Sequence, residues 1–267
     1  MARKRRKQQK TKEKKKPGVS GERFRKSPAF KNSRRAASEF GRASQCAVLI
    51  RRELAQLLEL PRENELHLKL SQCIGRLSRK KQLPGEASAG LNDWPWEQME
   101  DFQFNEEASL GNLAYGKPAV SFTRATGEIN ITWPRFELKS KFDKYKSATH
   151  GRIIAGAAAI DFDKKKAVSD YTATDHLPII RPVEDDRPEV VVNLSLKLPT
   201  PVLHPLFIVL GFTCYKLDSN QFYKLDNRRY KALALISVQP APPPARKVKP
   251  PTATKPTTKA VKKKKDR

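Results

Sequence analysis

The sequence predicts an α+β protein: an N-terminal helical hairpin followed by an antiparallel β-sandwich of immunoglobulin or fibronectin type, with a disordered basic tail at each end. Three observations carry this expectation. Apolar residues recur at intervals of three and four as far as Leu77, and from Pro118 onward the period changes to two. The charge is also segregated, because residues 1–35 contribute +14 and residues 241–267 contribute +9 to a net charge of +26. The expected division is a basic tail over 1–31, a helical hairpin over 32–84, an acidic and aromatic linker over 85–117, the sandwich over 118–239 and a Pro- and Lys-rich tail over 240–267. Setting the charged ends aside leaves about 205 residues, enough for one good core with a helical appendage.

Residues 1–18, MARKRRKQQKTKEKKKPG, carry almost no apolar side chain, so self-repulsion and the entropy of ordering leave them without a fold of their own. Residues 19–35 stay basic but include Phe24 and Phe30, which a solvated tail does not need and which point to docking on the body or on a partner. The first helix is expected to run from a cap at Asn32 or Ser33 to Leu60, where Pro61 stops it. Its apolar face would hold Phe40, Ala43, Ala47, Ile50, Leu54, Leu57 and Leu58. Gly41 costs that helix about 1 kcal/mol against Ala, which implies a close backbone neighbour or a kink. A second helix, capped by Asn64 and ended by Pro84-Gly85, would bury Leu66, Leu70, Cys73, Ile74 and Leu77 and complete the hairpin.

Residues 91–107, LNDWPWEQMEDFQFNEE, contain acids and no base together with Trp94, Trp96, Phe102 and Phe104. They read as a linker whose aromatics cap the following domain, or as an internal mimic of a polyanion that shields a basic tail. Beyond Pro118, Val120 and Phe122 alternate with polar neighbours, Thr126-Gly127 makes a turn, and Ile129, Ile131 and Trp133 alternate on the return, which is a hairpin pattern. Further strands are expected over 152–162, 167–174, 189–198, 206–217 and 230–238, for seven in all. No helical pattern alternates with them, as a parallel sheet would require. The apolar run Leu206 to Phe212 reads as a central strand buried on both faces or crossing a bulge at Gly211.

The segment from Ser27 to Arg52 carries Ser-Pro-x-Phe, then Arg35, then Glu-Phe-Gly at Glu39, Phe40 and Gly41, then Ala43 and a helical stretch reaching Arg51. In these residues, with Ser27, Pro28 and Phe30, it resembles the opening of a family of uncharacterised bacterial proteins. The likeness covers the first third of the chain, and the β-rich remainder agrees in broad pattern. It implies a sandwich-like second half and a bacterial cytoplasm, and it supplies no activity. The Lys-rich ends look like additions to that pattern.

The first 35 residues hold no apolar stretch of the roughly 7–15 residues a secretory signal needs. The longest apolar run is far short of the roughly 20 residues that span a bilayer as a helix, so no integral membrane association is expected. Cys46, Cys73 and Cys214 lack framework spacing and read as small buried hydrophobes in a reducing compartment, consistent with the cytoplasm.

Unfolded Lys-rich segments are drawn to phosphates by counterion release. The expected partner is therefore nucleic acid, DNA or RNA, or another polyanion, held nonspecifically by Arg3, Arg5, Arg6, Lys14, Lys15, Lys16, Lys262, Lys263, Lys264 and Lys265. The C-terminal segment interleaves Pro with Lys, resembles the tails of linker histones, and stays extended. Within the body, RFELKSKFDKYKSATHGR places Lys139, Lys141, Lys144 and Lys146 among Phe136, Phe142 and Tyr145, the best candidate for a binding patch, though an edge strand protected by lysines reads the same way. Arg76, Arg79, Lys80 and Lys81 suit the C-terminal end of a helix. The alternative function is a protein-interaction or assembly module whose tails only provide solubility.

Catalysis finds little footing. The four histidines, His67, His150, His176 and His204, share no ligand spacing, so no metal or other cofactor is expected. Asp161, Asp163, Asp170, Asp175, Asp185 and Asp186 fall at expected turns, where Asp bonds backbone amides. A hydrolase would have to use Asp161, Asp175 and His176. No Walker loop, nucleophile elbow or dinucleotide fingerprint occurs, and the protein is expected not to be an enzyme.

Overall fold

The computed structural model describes residues 20–55, 57, 65–80, 90–113, 116–136, 147–178 and 190–243. It is a mixed α+β structure with helices at the N-terminal side and antiparallel sheets after them. Helix α1 (Gly21–Lys26) begins at Ser20, whose hydroxyl accepts from the Arg23 amide. A 3-10 turn at Pro28–Phe30 leads directly into α2 (Lys31–Glu53), so the long helix starts ahead of Asn32 and uses neither expected cap. The Arg34 guanidinium secures this corner instead, donating to the carbonyls of Phe24 at 2.6 Å and Ser27 at 2.8 Å, while the Phe24 and Phe30 rings lie 5.6 Å apart.

α2 is the one long helix, and the even hairpin expected from the sequence is corrected accordingly. α3 (Leu66–Lys80) is a separate 15-residue element packed beside it, and the expected Asn64 cap lies outside the described residues. α2 ends at Glu53 rather than Leu60, because the chain turns there and sends Leu57 onto the sheet. Its buried face is Ala43, Cys46, Ala47, Leu49 and Ile50. Phe40, assigned to that face by its spacing, is 58% exposed. Gly41 has nothing within 4 Å of a built Cβ, so no close approach explains it.

The strands are β1 (Ala119–Thr123), β2 (Glu128–Phe136), β3 (His150–Asp161), β4 (Lys166–Ala173), β5 (Leu177–Pro178), β6 (Val190–Lys197), β7 (Leu206–Asp218), β8 (Gln221–Lys224) and β9 (Lys231–Gln239). One sheet has the order β1-β2-β6; the other runs β4-β3-β7-β8, with β5 added beside β3 and β9 beside β7. The expected β1–β2 hairpin forms, with Val120 opposite Ile131 and Phe122 opposite Ile129. Its turn depends on Gly127 at φ +69, where a Cβ would strike the Leu198 carbonyl. Together the sheets curl as a half-barrel. The Lys197 amide, donating to the Asp170 carboxylate at 2.9 Å, ties β6 to β4. An immunoglobulin or fibronectin sandwich is not singled out by this arrangement, because the longest pairing joins β3 to β7 across about 50 residues.

The six-stranded sheet is apolar on both faces. Ile153, Ala155, Ala157 and Ala159 of β3, with Leu206, Ile208, Leu210 and Phe212 of β7, share one core with Ile129, Ile131, Trp133, Leu194 and Leu196 of the three-stranded sheet. The intervening residues Ala158, Ile160, Phe207, Val209, Leu233 and Leu235 form a second core with α2 and α3. The run Leu206 to Phe212 is therefore buried on both faces, one of the two readings its sequence allowed. The irregularity lies between Ile208 and Val209 in the pairing with β9, not at Gly211.

Residues 91–104 complete the second core. Trp96 is fully buried, stacked on Phe162 at 4.2 Å and edge-on to Phe207 at 5.5 Å, and its indole N–H donates to the Leu91 carbonyl at 2.9 Å. The following residues run along the outer edge of β9: the Asp101 amide donates to Leu235, the Phe104 amide to Leu233, and the Leu235 amide to Phe102. A sheet edge is thereby closed. Two acids of residues 91–107 bond within the body, Glu100 accepting from the Val238 amide at 2.9 Å and Glu106 meeting Lys69 at 2.7 Å.

Two substitutions test this layering. Trp96→Ala removes the largest side chain between helices and sheet and is expected to cost about 3–5 kcal/mol, lowering the thermal midpoint by about 10 °C or more in a calorimetric scan. Gly156→Val would drive a side chain into Leu57, and the same scan should register a loss of about 1–3 kcal/mol.

Candidate functional site

Among the described residues the helical layer does not cover the whole inner face of the six-stranded sheet, and Leu57 is seated over Gly156. Beyond it the same strand faces continue with polar residues: Ile154 of β3 gives way to Arg152, Val209 of β7 to Thr213 and Tyr215, and Leu233 of β9 to Lys231. Side chains two apart share a face, so the period that builds the core also aims these groups into one place. They surround a cleft of about 420 Å³ floored by Leu57, Ile154 and Leu233 and completed by Lys224 of β8 and Tyr171 of β4.

Each cation is positioned. The Arg152 Nε donates to the Thr174 carbonyl at 2.8 Å. Lys231 is 4% exposed and its ammonium donates to Asp226 at 2.9 Å. Burial, then the charge of Lys231, lowers the pKa of Lys224, while Asp226 acts in the opposite sense. The bond from Lys231 and its charge hold the Asp226 carboxyl below the usual range. No carboxylate is among the cleft's lining residues, which include the three cations Arg152, Lys224 and Lys231.

One end of the cleft abuts a ring cluster. His176 stacks on Phe222 at 4.0 Å and stands edge-on to Tyr215 at 4.5 Å, and His150 meets Phe222 at 4.9 Å. Burial, followed by the charges of Arg152 and His150, lowers the His176 pKa, and Asp175 partly offsets this. Tyr215 is thus held by its neighbours, whereas Tyr171 is 59% exposed at the rim.

The residues expected to bind phosphates, Arg3, Arg5, Arg6, Lys14, Lys15, Lys16, Lys139, Lys141, Lys144, Lys146 and Lys262 to Lys265, all lie outside the described residues. The cleft was missed apart from Arg152, the last residue of the basic stretch singled out in the body. Its other polar members come from four further strands. The one local signal is the polar residue at a strand end on an otherwise apolar face, as at Arg152 and Lys231.

Of the three residues a hydrolase would have to use, Asp175 and His176 are neighbours and Asp161 lies apart from them. Asp161 and His176 lie near opposite ends of β3, since Asp161 pairs with Lys166 and Leu177 with Gly151, a separation of roughly 30 Å. Asp161 instead anchors the Trp96 segment, accepting from Asn92 Nδ2 at 2.9 Å and from the Lys164 amide at 3.0 Å. Asp163 accepts from the Leu91 amide. Both carry out the turn bonding expected of them. Among the described residues no group of three or more His, Cys, Asp or Glu could hold a metal, and no helix is long and apolar enough to cross a membrane. Burial pushes the Cys46 thiol up to about 12, with Asp163 adding to the rise, and raises Cys214 as well.

Comparison with known proteins finds no family, no curated relative and no solved structure that matches the chain.

Asp161 yields a pH-dependent prediction. Burial raises its pKa, but the bonds from Asn92 and Lys164 and the charges of His204 and Lys164 outweigh it, so the folded value lies below the ordinary 3.8. Its stabilisation is therefore present above that value and is lost as pH falls through the lower folded pKa. Asp161→Asn is expected to cost about 1.5–3 kcal/mol at pH 7 and to flatten the fall in stability below pH 4, measured by urea unfolding across pH.

Proposed function

We propose that the protein is a non-enzymatic nucleic-acid-binding protein that engages phosphates nonspecifically through its Lys- and Arg-rich ends. The observation that carries this reading is the segregation of charge, +14 in residues 1–35 and +9 in residues 241–267 around a nearly neutral body. Such ends release counterions on meeting a polyphosphate, and this term is independent of base sequence. The cationic cleft adds support, since it sets a second, folded group of phosphate-compatible side chains on the body. Catalysis is not part of the reading, because Asp161 is spent on Asn92 and the turn amide while His176 is held in a ring stack. The likeness of Ser27 to Arg52 to the bacterial family would set this activity in a bacterial cytoplasm.

The test is made on the whole chain with Lys14, Lys15, Lys16 and Lys262 to Lys265 replaced by Gln. For the native chain, affinity for a mixed-sequence DNA duplex should fall by about 10³–10⁵ between 50 and 200 mM salt. The neutralised chain should bind far more weakly, with a shallower salt slope, in fluorescence anisotropy. Equal affinity and equal slope in the two proteins would overturn the reading.

A further inference from the structure

We propose that the cleft between Arg152, Lys224 and Lys231 is a site for a single nucleotide unit, with its phosphate against the three cations and its base against Tyr171. The inference rests on the nucleic-acid reading above and deepens it from charge alone to a folded pocket. Three features of the cleft select this ligand class.

The first is charge. Three cationic side chains line the space and no carboxylate is among the lining residues, while Asp226, from outside the lining, bonds Lys231 and acts on Lys224 as well. Burial and then the charge of Lys231 hold Lys224 below its ordinary pKa, and a phosphate beside it would favour its charged form. The second is shape. At about 420 Å³ the cleft lies near the small end of the roughly 300–1,000 Å³ of small-ligand sites, too small for a duplex and suitable for one unit. The third is its apolar part. Leu57, Ile154 and Leu233 form a floor that inorganic phosphate would leave unused, and the Tyr171 ring at the rim offers a flat surface to a base. A phosphate head attached to a flat, apolar body satisfies all three.

The same chemistry occurs in a free mononucleotide and in the phosphorylated end of a single strand, so the experiment carries both. Calorimetric titrations of the whole chain would use AMP, adenosine, inorganic phosphate, and an oligoadenylate pentamer with and without a 5′-phosphate. AMP should bind at least tenfold more tightly than adenosine or inorganic phosphate. Lys224→Gln and Tyr171→Ala, at half-buried and exposed positions, should each weaken AMP at least fivefold while leaving the melting curve and the duplex affinity unchanged. Arg152→Lys, which keeps the charge, should weaken it less than Arg152→Gln. Tighter binding of the phosphorylated pentamer than of AMP identifies a strand end as the occupant; tighter binding of AMP identifies a free nucleotide, and either supports the site. No AMP binding by the native chain at millimolar concentration, or equal binding by native and variant chains, overturns it. The neutralised chain separates the two proposals: loss of duplex binding with AMP binding retained supports both, whereas retained duplex binding counts against the tails alone.

Discussion

A sheet that is apolar on both faces is the constraint from which the rest of this structure follows. β3 and β7 bury alternate side chains into two separate cores, so neither face can be left to water. The three-stranded sheet covers one. The other is covered by α2 and α3, and these reach it through Trp96, whose ring fills the space between helix and strand where Phe162 and Phe207 converge. The residues around Trp96 are fixed by Asp161 and Asp163 from the β3–β4 turn, and the chain beyond it seals the edge of β9. The helical layer is thus held at one end of the sheet, and its reach determines how much of the face remains open.

Where that cover stops, the requirements on the strands change. A residue under the helices must be apolar or small, as Ala158 and Gly156 are, whereas among the described residues one past Leu57 lines the cleft and can carry charge. The cost of placing Arg152, Lys224 and Lys231 near one another is partly met by Asp226 on Lys231 and by the Thr174 carbonyl on Arg152. What remains is a concentration of positive charge beside a low-dielectric sheet, where electrostatic interactions are stronger than on an open surface.

Much of this architecture was legible in residue order, and the failures have physical causes. Alternation found the β1–β2 hairpin, because two strands joined by a short turn are constrained locally. The two-sided burial of β7 was legible because seven apolar residues without alternation leave few other possibilities. Phe40 shows the limit of spacing: it shares the helical period of Ala43 and Ile50 but sits at a point of α2 where no second layer arrives. The pairing of the acidic and aromatic segment with β9 was not legible, because that strand lies about 130 residues away. The cleft was hidden for the same reason. Arg152, Tyr171, Tyr215, Lys224 and Lys231 meet only after β3 has paired with β7, and nothing in the residue order specifies that crossover.

The division of charge between ends and cleft then acquires a physical logic. Charges along an extended, exposed segment act over a Debye length of about 8–10 Å and are screened by salt, so they favour encounter and nonspecific retention. Charges set against a buried sheet face are screened less and act only on a group that enters, so they discriminate by shape. A body that is nearly neutral outside the cleft neither repels the basic ends nor competes with them for phosphate. On the reading proposed above, the two kinds of site would divide the binding between them: the ends would raise the local concentration of nucleic acid whatever its sequence, and the cleft would admit only unpaired units, because its volume of about 420 Å³ is too small for a duplex.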